Sequence, residues 1–304
     1  MSRVEPREAE IGIRASMLRA GAEIDHLFQS LLADPPDPRR RLFEAMRYAA
    51  VGGGKRLRPL LTLASAALFR IPRAAAIRPA LAVECVHVHS LVHDDLPCMD
   101  DDDLRRGKAT VHRAYDEATA VLAGDALLAL AFEIIASPET PLCGEVRSEL
   151  VAELARSAGA SGMAGGQMLD LLPPEEPADL DAITRLQRLK TGALIGWCVE
   201  AGAILGRASP DQRTSLRGYA RALGLAFQIA DDLLDREGDE AAVGKKLRKD
   251  DGQGKVTFVT LLGPERARRQ ADMLVDQAVE HLRSFGDSAR LLEGIARFAV
   301  TRDR

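Results

Sequence analysis

The most informative stretch of the chain is HVHSLVHDDLPCMDDDDLRRG, residues 87–107. An apolar helical segment ends in Asp94 and Asp95, Pro97 then breaks the helix, and four more aspartates precede two arginines. Acidic runs are usually solvated loops, but solvation explains poorly why two carboxylates end an apolar helix. Repelling aspartates beside paired arginines indicate a site that a cation and an anion complete together.

A second acidic cluster lies in AFQIADDLLD, residues 226–235. Asp231 and Asp235 are four residues apart, so they share one face of a predicted helix. Like charges in this arrangement destabilise a bare helix, whereas a divalent cation between their oxygens would reverse that penalty. Oxygen-only ligation suits Mg²⁺, and such a site in a helix bundle normally needs phosphates to complete the coordination. The two acidic clusters therefore predict a metal site that receives a phosphorylated substrate.

Basic residues next to glycines supply matching partners for phosphate. The sequence GGGKRLRP, residues 52–59, places three cations on a glycine run at a helix start, where backbone N–H groups and the helix dipole favour an anion. It is not a P-loop, because neither Ser nor Thr follows the lysine. Further lysines come in KTG at 190–192, GKK at 244–246 and GK at 254–255. Together with the aspartates, they indicate a pyrophosphate held by metal and by ammonium groups.

Helix formers dominate the rest of the chain, and β-branched alternation is nearly absent. The sequence SPDQ at 209–212 predicts a capping box that opens a helix running to Glu237. Other predicted helices span 40–50, 59–69, 75–96, 116–136, 145–160, 166–172 and 179–206, with helices resuming near 256, 264 and 288. Several are apolar around most of their circumference, as in central members of a bundle. With no repeat or long linker, residues 1–304 are predicted to form one all-α domain.

The composition and the charge of the chain argue against several other classes of protein. The net charge of −4 gives no global electrostatic case for nucleic-acid binding. Four scattered cysteines without CxxC spacing argue against a disulfide framework or a zinc site and favour the cytoplasm. The charged N-terminus carries no apolar signal core, and acidic residues interrupt the apolar stretches at 118–136 and 191–206. We therefore expect no membrane span.

Seven segments resemble the trans-isoprenyl diphosphate synthases, most closely the bacterial farnesyl diphosphate synthases. In chain order they are GGGKRLRP, SLVHDDLPCMDDDDLRRG, LAGDALLALAFE, GGQMLDL, LKTGALI, LAFQIADDLLD and VGKK…GKVTF. The six-residue reach from Asp94 to Asp100 resembles the bacterial form of the first aspartate-rich motif, and Asp231-Asp232-x-x-Asp235 resembles the second. The resemblance implies a large single-domain helical bundle around a central cavity, and it also implies a homodimer.

The same resemblance implies a role for each site residue. Mg²⁺, as three ions when substrate is bound, would be held by Asp94, Asp95, Asp100, Asp231, Asp232 and Asp235. The allylic diphosphate would contact Arg105, Lys190, Thr191, Gln228, Lys245 and Lys255, of which Arg105, Lys190, Thr191 and Gln228 also serve catalysis. The isopentenyl diphosphate would lie against Gly54, Lys55, Arg58, His87 and Arg106. Gln167 and Asp170 are implied as supporting residues.

The implied reaction is ionisation, condensation and elimination, which joins isopentenyl diphosphate head to tail to dimethylallyl or geranyl diphosphate. The resemblance implies that His89 and Ser90, below Asp94, form a floor that limits the product to farnesyl diphosphate. The farnesyl enzymes usually carry an aromatic residue at the position of His89. Because histidine is intermediate in bulk, geranylgeranyl diphosphate is an alternative product.

Three other interpretations stay open on the sequence. A class I terpene cyclase would share the helical fold and the metal chemistry, although cyclases lack the isopentenyl-binding basic run. A di-iron bundle needs two Glu-x-x-His motifs, which occur at Glu23–His26 and Glu84–His87, but the first lies on a polar stripe predicted to face solvent. A catalytically inactive scaffold would be expected to lose one aspartate cluster, and here both are intact.

Overall fold

The computed structural model describes residues 6–172, 179–237 and 256–301. In chain order the α-helices of these residues are α1 (Pro6–Leu31), α2 (Arg40–Ala50), α3 (Leu57–Leu68), α4 (Arg73–Asp94), α5 (Val111–Ala114), α6 (Glu117–Ala136), α7 (Gly144–Ala158), α8 (Met163–Leu171), α9 (Leu180–Lys190), α10 (Gly192–Leu205), α11 (Pro210–Glu237), α12 (Phe258–Leu262), α13 (Pro264–His281) and α14 (Arg290–Thr301). A 3₁₀ helix at Arg283–Ala289 precedes α14. Lys245 and Lys255, with the predicted loop that carries them, lie outside the described residues.

The predicted capping box sets the start of one long helix. At the start of α11, the backbone N–H of Gln212 donates to Ser209 Oγ at 3.3 Å, and the N–H of Ser209 donates to Gln212 Oε1 at 2.9 Å. The predicted helix at 179–206 is instead two helices with Thr191 between them. Gly192 begins the second, and glycine is the weakest helix former after proline.

A small hairpin interrupts the helices and was not predicted. Strand β1 (Leu104–Arg105) pairs antiparallel with β2 (Lys108–Ala109). The two turn residues, Arg106 and Gly107, both have positive φ, at 54° and 75°. This is the backbone handedness that a two-residue hairpin turn requires. The hairpin places Arg105 against Asp95 at the end of α4 and Arg106 against the glycines at 53 and 54.

The core forms where the most apolar helices meet. Helix α4 packs mainly against α6 and α3, and α10 packs against α3 and α11. The one tryptophan, Trp197 on α10, is 2% exposed and donates from its indole nitrogen to the Leu150 carbonyl at 3.2 Å. Tyr219 on α11 is fully buried, and its hydroxyl donates to the Leu292 carbonyl at 2.8 Å. The predicted all-α class is confirmed.

Helices α4 and α6 are long and apolar enough to cross a membrane, judged by length and composition alone. Core helices of large bundles pass the same criterion. In α4, 61% of the apolar window is buried inside the protein, and in α6 44% is buried. These two helices are therefore weak evidence for a membrane span.

Candidate active site

The two adjacent carboxylates at the end of α4 have different surroundings. Asp95 is 3% exposed, and its Oδ1 accepts from Arg105 Nε at 2.7 Å and from Arg105 Nη2 at 2.6 Å. The pKa of Asp94 is raised to about 6, first by burial and then by Asp100, although Lys190 and Arg105 act in the opposite direction. Asp94 thus lies in a partly buried cluster that holds both like and opposite charges.

The junction of α9 and α10 presents Lys190 and Thr191 to neighbouring helices. Lys190 Nζ donates to Asp170 Oδ2 at 2.6 Å, and Thr191 Oγ1 donates to Gln228 Oε1 at 3.1 Å. Helix α8 approaches the junction so closely that a Cβ on Gly166 would lie 2.5 Å from Lys190 Cα. Lys190 also lowers the pKa of Asp94 through its charge, so this junction lies near both the end of α4 and Gln228 on α11.

The second aspartate cluster lies on α11, one turn after Gln228. Asp231 and Asp235 are partly exposed and share a helix face, as predicted. Asp232, in contrast, is 7% exposed. Its Oδ1 accepts from Gln228 Nε2 at 2.8 Å, and its Oδ2 accepts from the backbone N–H of Phe258 at 3.1 Å.

The surroundings of Asp95 and Asp232 differ from those of the other predicted metal ligands. The sequence analysis grouped both with the metal ligands, but the structure shows their oxygens accepting hydrogen bonds from protein donors. Two motifs of adjacent aspartates look uniform in sequence. In a helix, however, consecutive residues point about 100° apart, so one member of each pair turns into the protein.

The remaining carboxylates suit a magnesium ion in their chemistry. Asp94, Asp100, Asp231 and Asp235 offer hard oxygen donors, which Mg²⁺ prefers. Within residues 6–172, 179–237 and 256–301, no three Asp, Glu, His or Cys side chains converge closely enough to hold an ion by themselves. Mg²⁺ is commonly bound by one or two carboxylates together with substrate phosphates, so these residues fit an ion that arrives with a diphosphate.

A cationic cluster surrounds the glycine run between α2 and α3. Gly54 has a φ of +85°, and a Cβ there would lie 2.6 Å from Arg106 Nη2, so glycine lets this guanidinium lie against the loop. Arg58 Nε is buried without a hydrogen-bond partner among the described residues. Burial and then the neighbouring arginines lower the pKa of Arg106 and hold the pKa of His87 well below its usual value. Lys55 is exposed beside this cluster, whose concentrated positive charge suits a diphosphate.

A buried ion pair beneath the glycine run was missed by sequence reasoning. Arg56 is 3% exposed, and its guanidinium donates to Glu84 Oε1 at 2.7 Å and to Asp25 Oδ1 at 2.5 Å. Burial on its own lowers the pKa of Arg56, but the two carboxylates outweigh burial and raise it. The signal in the sequence was the acidic Glu84 within an otherwise apolar run of α4, which calls for a buried cation.

The same contacts remove the basis for the di-iron interpretation. Glu84, from the second Glu-x-x-His motif, is paired with Arg56 in the core. Glu23, from the first motif, pairs with Arg73 at 2.8 Å on the surface, with both side chains about half exposed. Among the residues that the structure describes, each of these glutamates therefore pairs with an arginine.

The two predicted floor residues lie on different sides of α4. His89 Nδ1 donates to the Gly124 carbonyl of α6 at 3.0 Å, because a carbonyl oxygen can only accept. Its ring meets the ring of His93 edge-on, with centroids 4.5 Å apart. Ser90 Oγ donates to the His87 carbonyl at 2.9 Å, within the same helix. The bulk of His89 is thus directed at the α4–α6 contact.

We expect His89 to make folding sensitive to acid. Its pKa is lowered from 6.5 to about 4, first by burial and then by His93. Between these pH values His89 is protonated in the unfolded chain but stays neutral in the native state. The free energy of unfolding therefore falls as the pH is lowered from 6.5 to about 4.

Urea unfolding of the wild type and of His89→Gln across this pH range measures the effect. Glutamine keeps a donor for Gly124 and does not titrate, so the variant should lose less stability on acidification. His26→Gln, at an exposed position, is the control. Identical pH profiles for the wild type and His89→Gln would contradict the expectation.

Comparisons with known proteins identify the family of the chain. The family model described as polyprenyl synthetase matches residues 39–293. Farnesyl diphosphate synthase from Escherichia coli (strain K12) is 43% identical over 278 residues, covering 90% of this chain and 93% of that protein. A chloroplastic geranylgeranyl pyrophosphate synthase from Catharanthus roseus is 43% identical over 266 residues, covering 86% of this chain and 74% of that protein.

Solved structures share both fold and sequence with the chain. The apo crystal structure of an FPP/GFPP synthase from Zymomonas mobilis matches with a TM-score of 0.88 at 54% identity, covering 96% of this chain and 99% of that chain. A geranyltransferase structure from Legionella pneumophila matches with a TM-score of 0.85 at 32% identity, covering 96% of this chain and 98% of that chain. The chain belongs to the polyprenyl synthetase family, and the family and the short-chain trans-prenyltransferase activity predicted from the sequence are confirmed.

Proposed function

We propose that this protein is a farnesyl diphosphate synthase, which joins isopentenyl diphosphate head to tail to dimethylallyl and then geranyl diphosphate. The observation that carries the residue assignments is the α9–α10 junction. At this junction, the charge of Lys190 lowers the pKa of Asp94, and the Thr191 hydroxyl donates a hydrogen bond to Gln228, which lies one turn before Asp231. Both aspartate clusters thus have a neighbour at the same helix junction. This supports a site in which the two clusters bind one diphosphate through metal ions.

The side chains of the proposed active site have different roles in the reaction. Lys190 and Arg105 stabilise the negative charge that develops on the departing pyrophosphate. The oxygens of Thr191 and Gln228 face the positive charge left on the allylic carbon. The isopentenyl double bond then forms the new carbon–carbon bond, and the released pyrophosphate takes the proton that leaves with elimination.

Mg²⁺ would be held by Asp94, Asp100, Asp231 and Asp235, with three ions present when substrate is bound. It would supply Lewis-acid stabilisation of the leaving oxygen and orient the diphosphate. The second substrate binds apart from these aspartates, where Gly54, Lys55, Arg58, His87 and Arg106 hold the isopentenyl diphosphate. The unpartnered, buried Nε of Arg58 supports this placement.

Incubation with isopentenyl diphosphate, Mg²⁺ and each allylic primer in turn tests the proposed function. Chromatography of the dephosphorylated prenols should show a fifteen-carbon product from both dimethylallyl and geranyl diphosphate. Omission of Mg²⁺ should abolish the product. A cyclic hydrocarbon released without consumption of isopentenyl diphosphate would point to a terpene cyclase instead.

Geranylgeranyl diphosphate is a second candidate product. The observation that supports it is the histidine at position 89. The chain is 43% identical both to a farnesyl and to a geranylgeranyl synthase, so overall similarity does not separate the two lengths. Histidine fills less space than the aromatic residue usual at this position in the farnesyl enzymes. In this proposal, the product length depends on how far the imidazole of His89 blocks further growth of the prenyl chain.

We expect His89→Ala to lengthen the product by at least one five-carbon unit, because it removes the imidazole that contacts Gly124. Ser90→Ala, which removes only a hydroxyl group that is hydrogen-bonded within α4, should lengthen the product less than His89→Ala. The product distribution of both variants is measured with geranyl diphosphate as primer. An unaltered distribution in His89→Ala would place the floor elsewhere.

The same proposal includes a cytoplasmic homodimer. Val121 and Leu122 on α6 are 40% and 56% exposed, which leaves an apolar face that a second copy could cover. All four cysteines are unpaired thiols, as is usual for proteins of a reducing compartment. Sedimentation equilibrium of the wild type tests the oligomeric state, and a monomer would contradict the proposed dimer.

A further inference from the structure

The aspartates at positions 231 and 232 have the same side chain but opposite environments. Asp231 is partly exposed, whereas Asp232 is 7% exposed and lies between α11 and the start of α12. Each of its two oxygens accepts a hydrogen bond from a protein donor, Gln228 Nε2 at 2.8 Å and the Phe258 N–H at 3.1 Å. A carboxylate used in this way has fewer lone pairs to offer a metal ion.

The contact with Asp232 fixes which way the Gln228 amide points. An ionised carboxylate can only accept hydrogen bonds, so the –NH₂ end of Gln228 must face it. The reverse orientation would place the amide oxygen against a negative oxygen. Gln228 Oε1 is therefore turned to Thr191, whose hydroxyl donates to it at 3.1 Å.

We infer that Asp232 is a positioning residue that orients the Gln228 amide for catalysis, and that it is not a metal ligand. The inference rests on the proposed function, in which Gln228 Oε1 and the Thr191 hydroxyl face positive charge on the allylic carbon. The hydrogen bonds run from Phe258 N–H through Asp232 and Gln228 to Thr191. They join three segments of chain at the α9–α10 junction.

Mg²⁺ titration separates a positioning residue from a ligand. Asp232→Asn replaces one acceptor by a donor, so it cannot satisfy both Gln228 and Phe258, and kcat should fall about 10- to 100-fold, as for a lost hydrogen bond to a charged group. The Mg²⁺ concentration for half-maximal rate should stay within about twofold of the wild type. Asp231→Asn is the matched variant one residue away, and it should raise that concentration at least tenfold, as loss of a metal contact does.

A double variant tests whether Asp232 acts through Gln228. Gln228→Leu should lower kcat by itself, and adding Asp232→Asn to it should cause little further loss, because the residue being positioned is already gone. Asp232→Glu, which keeps two acceptors, should retain more activity than Asp232→Asn, and it covers the case in which the asparagine variant does not fold.

Two outcomes would overturn the inference. One is a Mg²⁺ requirement raised in Asp232→Asn or Asp232→Glu as much as in Asp231→Asn. The other is a multiplicative loss of kcat in the double variant. Failure of the proposed function is a separate result, since the wild-type enzyme itself would then give no condensation with isopentenyl diphosphate.

Discussion

Asp94→Ala and Asp231→Ala should each lower kcat by about a thousandfold or more while the protein stays folded. A metal contact to a leaving diphosphate supplies several kcal/mol of transition-state stabilisation, and each 1.4 kcal/mol corresponds to roughly a factor of ten in rate. Lys190 at the α9–α10 junction interacts electrostatically with Asp94, and Thr191 at the same junction is hydrogen-bonded to Gln228, one turn before Asp231. We therefore expect each substitution to remove a different metal contact to the diphosphate. Steady-state assays at saturating Mg²⁺ measure the loss.

The folded state of Asp94→Ala should be at least as stable as the wild type without metal. Burial raises the pKa of Asp94 from 3.8 to about 6, so the native state resists ionising this group more than the unfolded chain does. Above pH 6 the charge therefore destabilises the metal-free fold, and its removal relieves that cost. Activity and stability are thus expected to move in different directions, which a simple loss of folding could not produce.

Asp103→Ala is the control from the same acidic run. Asp103 is 63% exposed and pairs with Arg113 at 2.5 Å on the surface, where such pairs contribute little. Its replacement should leave kcat within about twofold of the wild type. A near-normal rate in Asp94→Ala, or an equal loss in Asp103→Ala, would contradict the proposed division between ligands and solvated carboxylates.

The sequence predicted most of the fold because local signals coincide with helix boundaries. Apolar spacing marks the helices, and the capping box at Ser209 and Gln212 forms as expected. The break at Thr191 was not predicted, because apolar residues recur at helical spacing on both sides of it and the break accompanies the close approach of α8 at Gly166. Tertiary packing of this kind leaves no periodic signal in one chain segment.

The sequence indicated which residue types form the site but not how neighbours divide the roles. From the sequence alone, the two aspartates of each pair look like equivalent metal ligands. They can be distinguished only when the orientation of the helix and the segments packed against it are known. For Asp232, the decisive partner is the backbone of Phe258, which is 26 residues away in sequence. Likewise, Arg56 reads as one of three cations on a loop, although its guanidinium is buried and only Lys55 beside it is exposed.

Arg56→Met should lower the free energy of unfolding by about 3–5 kcal/mol, the usual cost of removing one partner of a buried ion pair. The variant leaves Glu84, which is 1% exposed, with a buried charge that has lost its guanidinium. It also removes one of two contacts between this loop and Asp25 of α1; the other is donated by the Gly52 N–H at 3.3 Å. Because Arg56 precedes α3 with a left-handed φ of 48°, these contacts also hold a strained backbone between Lys55 and Arg58.

A double-mutant cycle distinguishes the interaction energy of the ion pair from the effect of general damage to the core. Arg56→Met combined with Glu84→Gln removes both charges, so the double variant should be less destabilised than the two single losses added together. Arg73→Met breaks the exposed pair with Glu23, whose side chains are 50% and 44% exposed, and should cost less than about 1 kcal/mol. Urea unfolding of the four variants gives these differences. If Arg56→Met cost no more free energy of unfolding than Arg73→Met, the glycine run would be held by other contacts, such as the hydrogen bond from the Gly52 N–H to Asp25, and not by the buried ion pair.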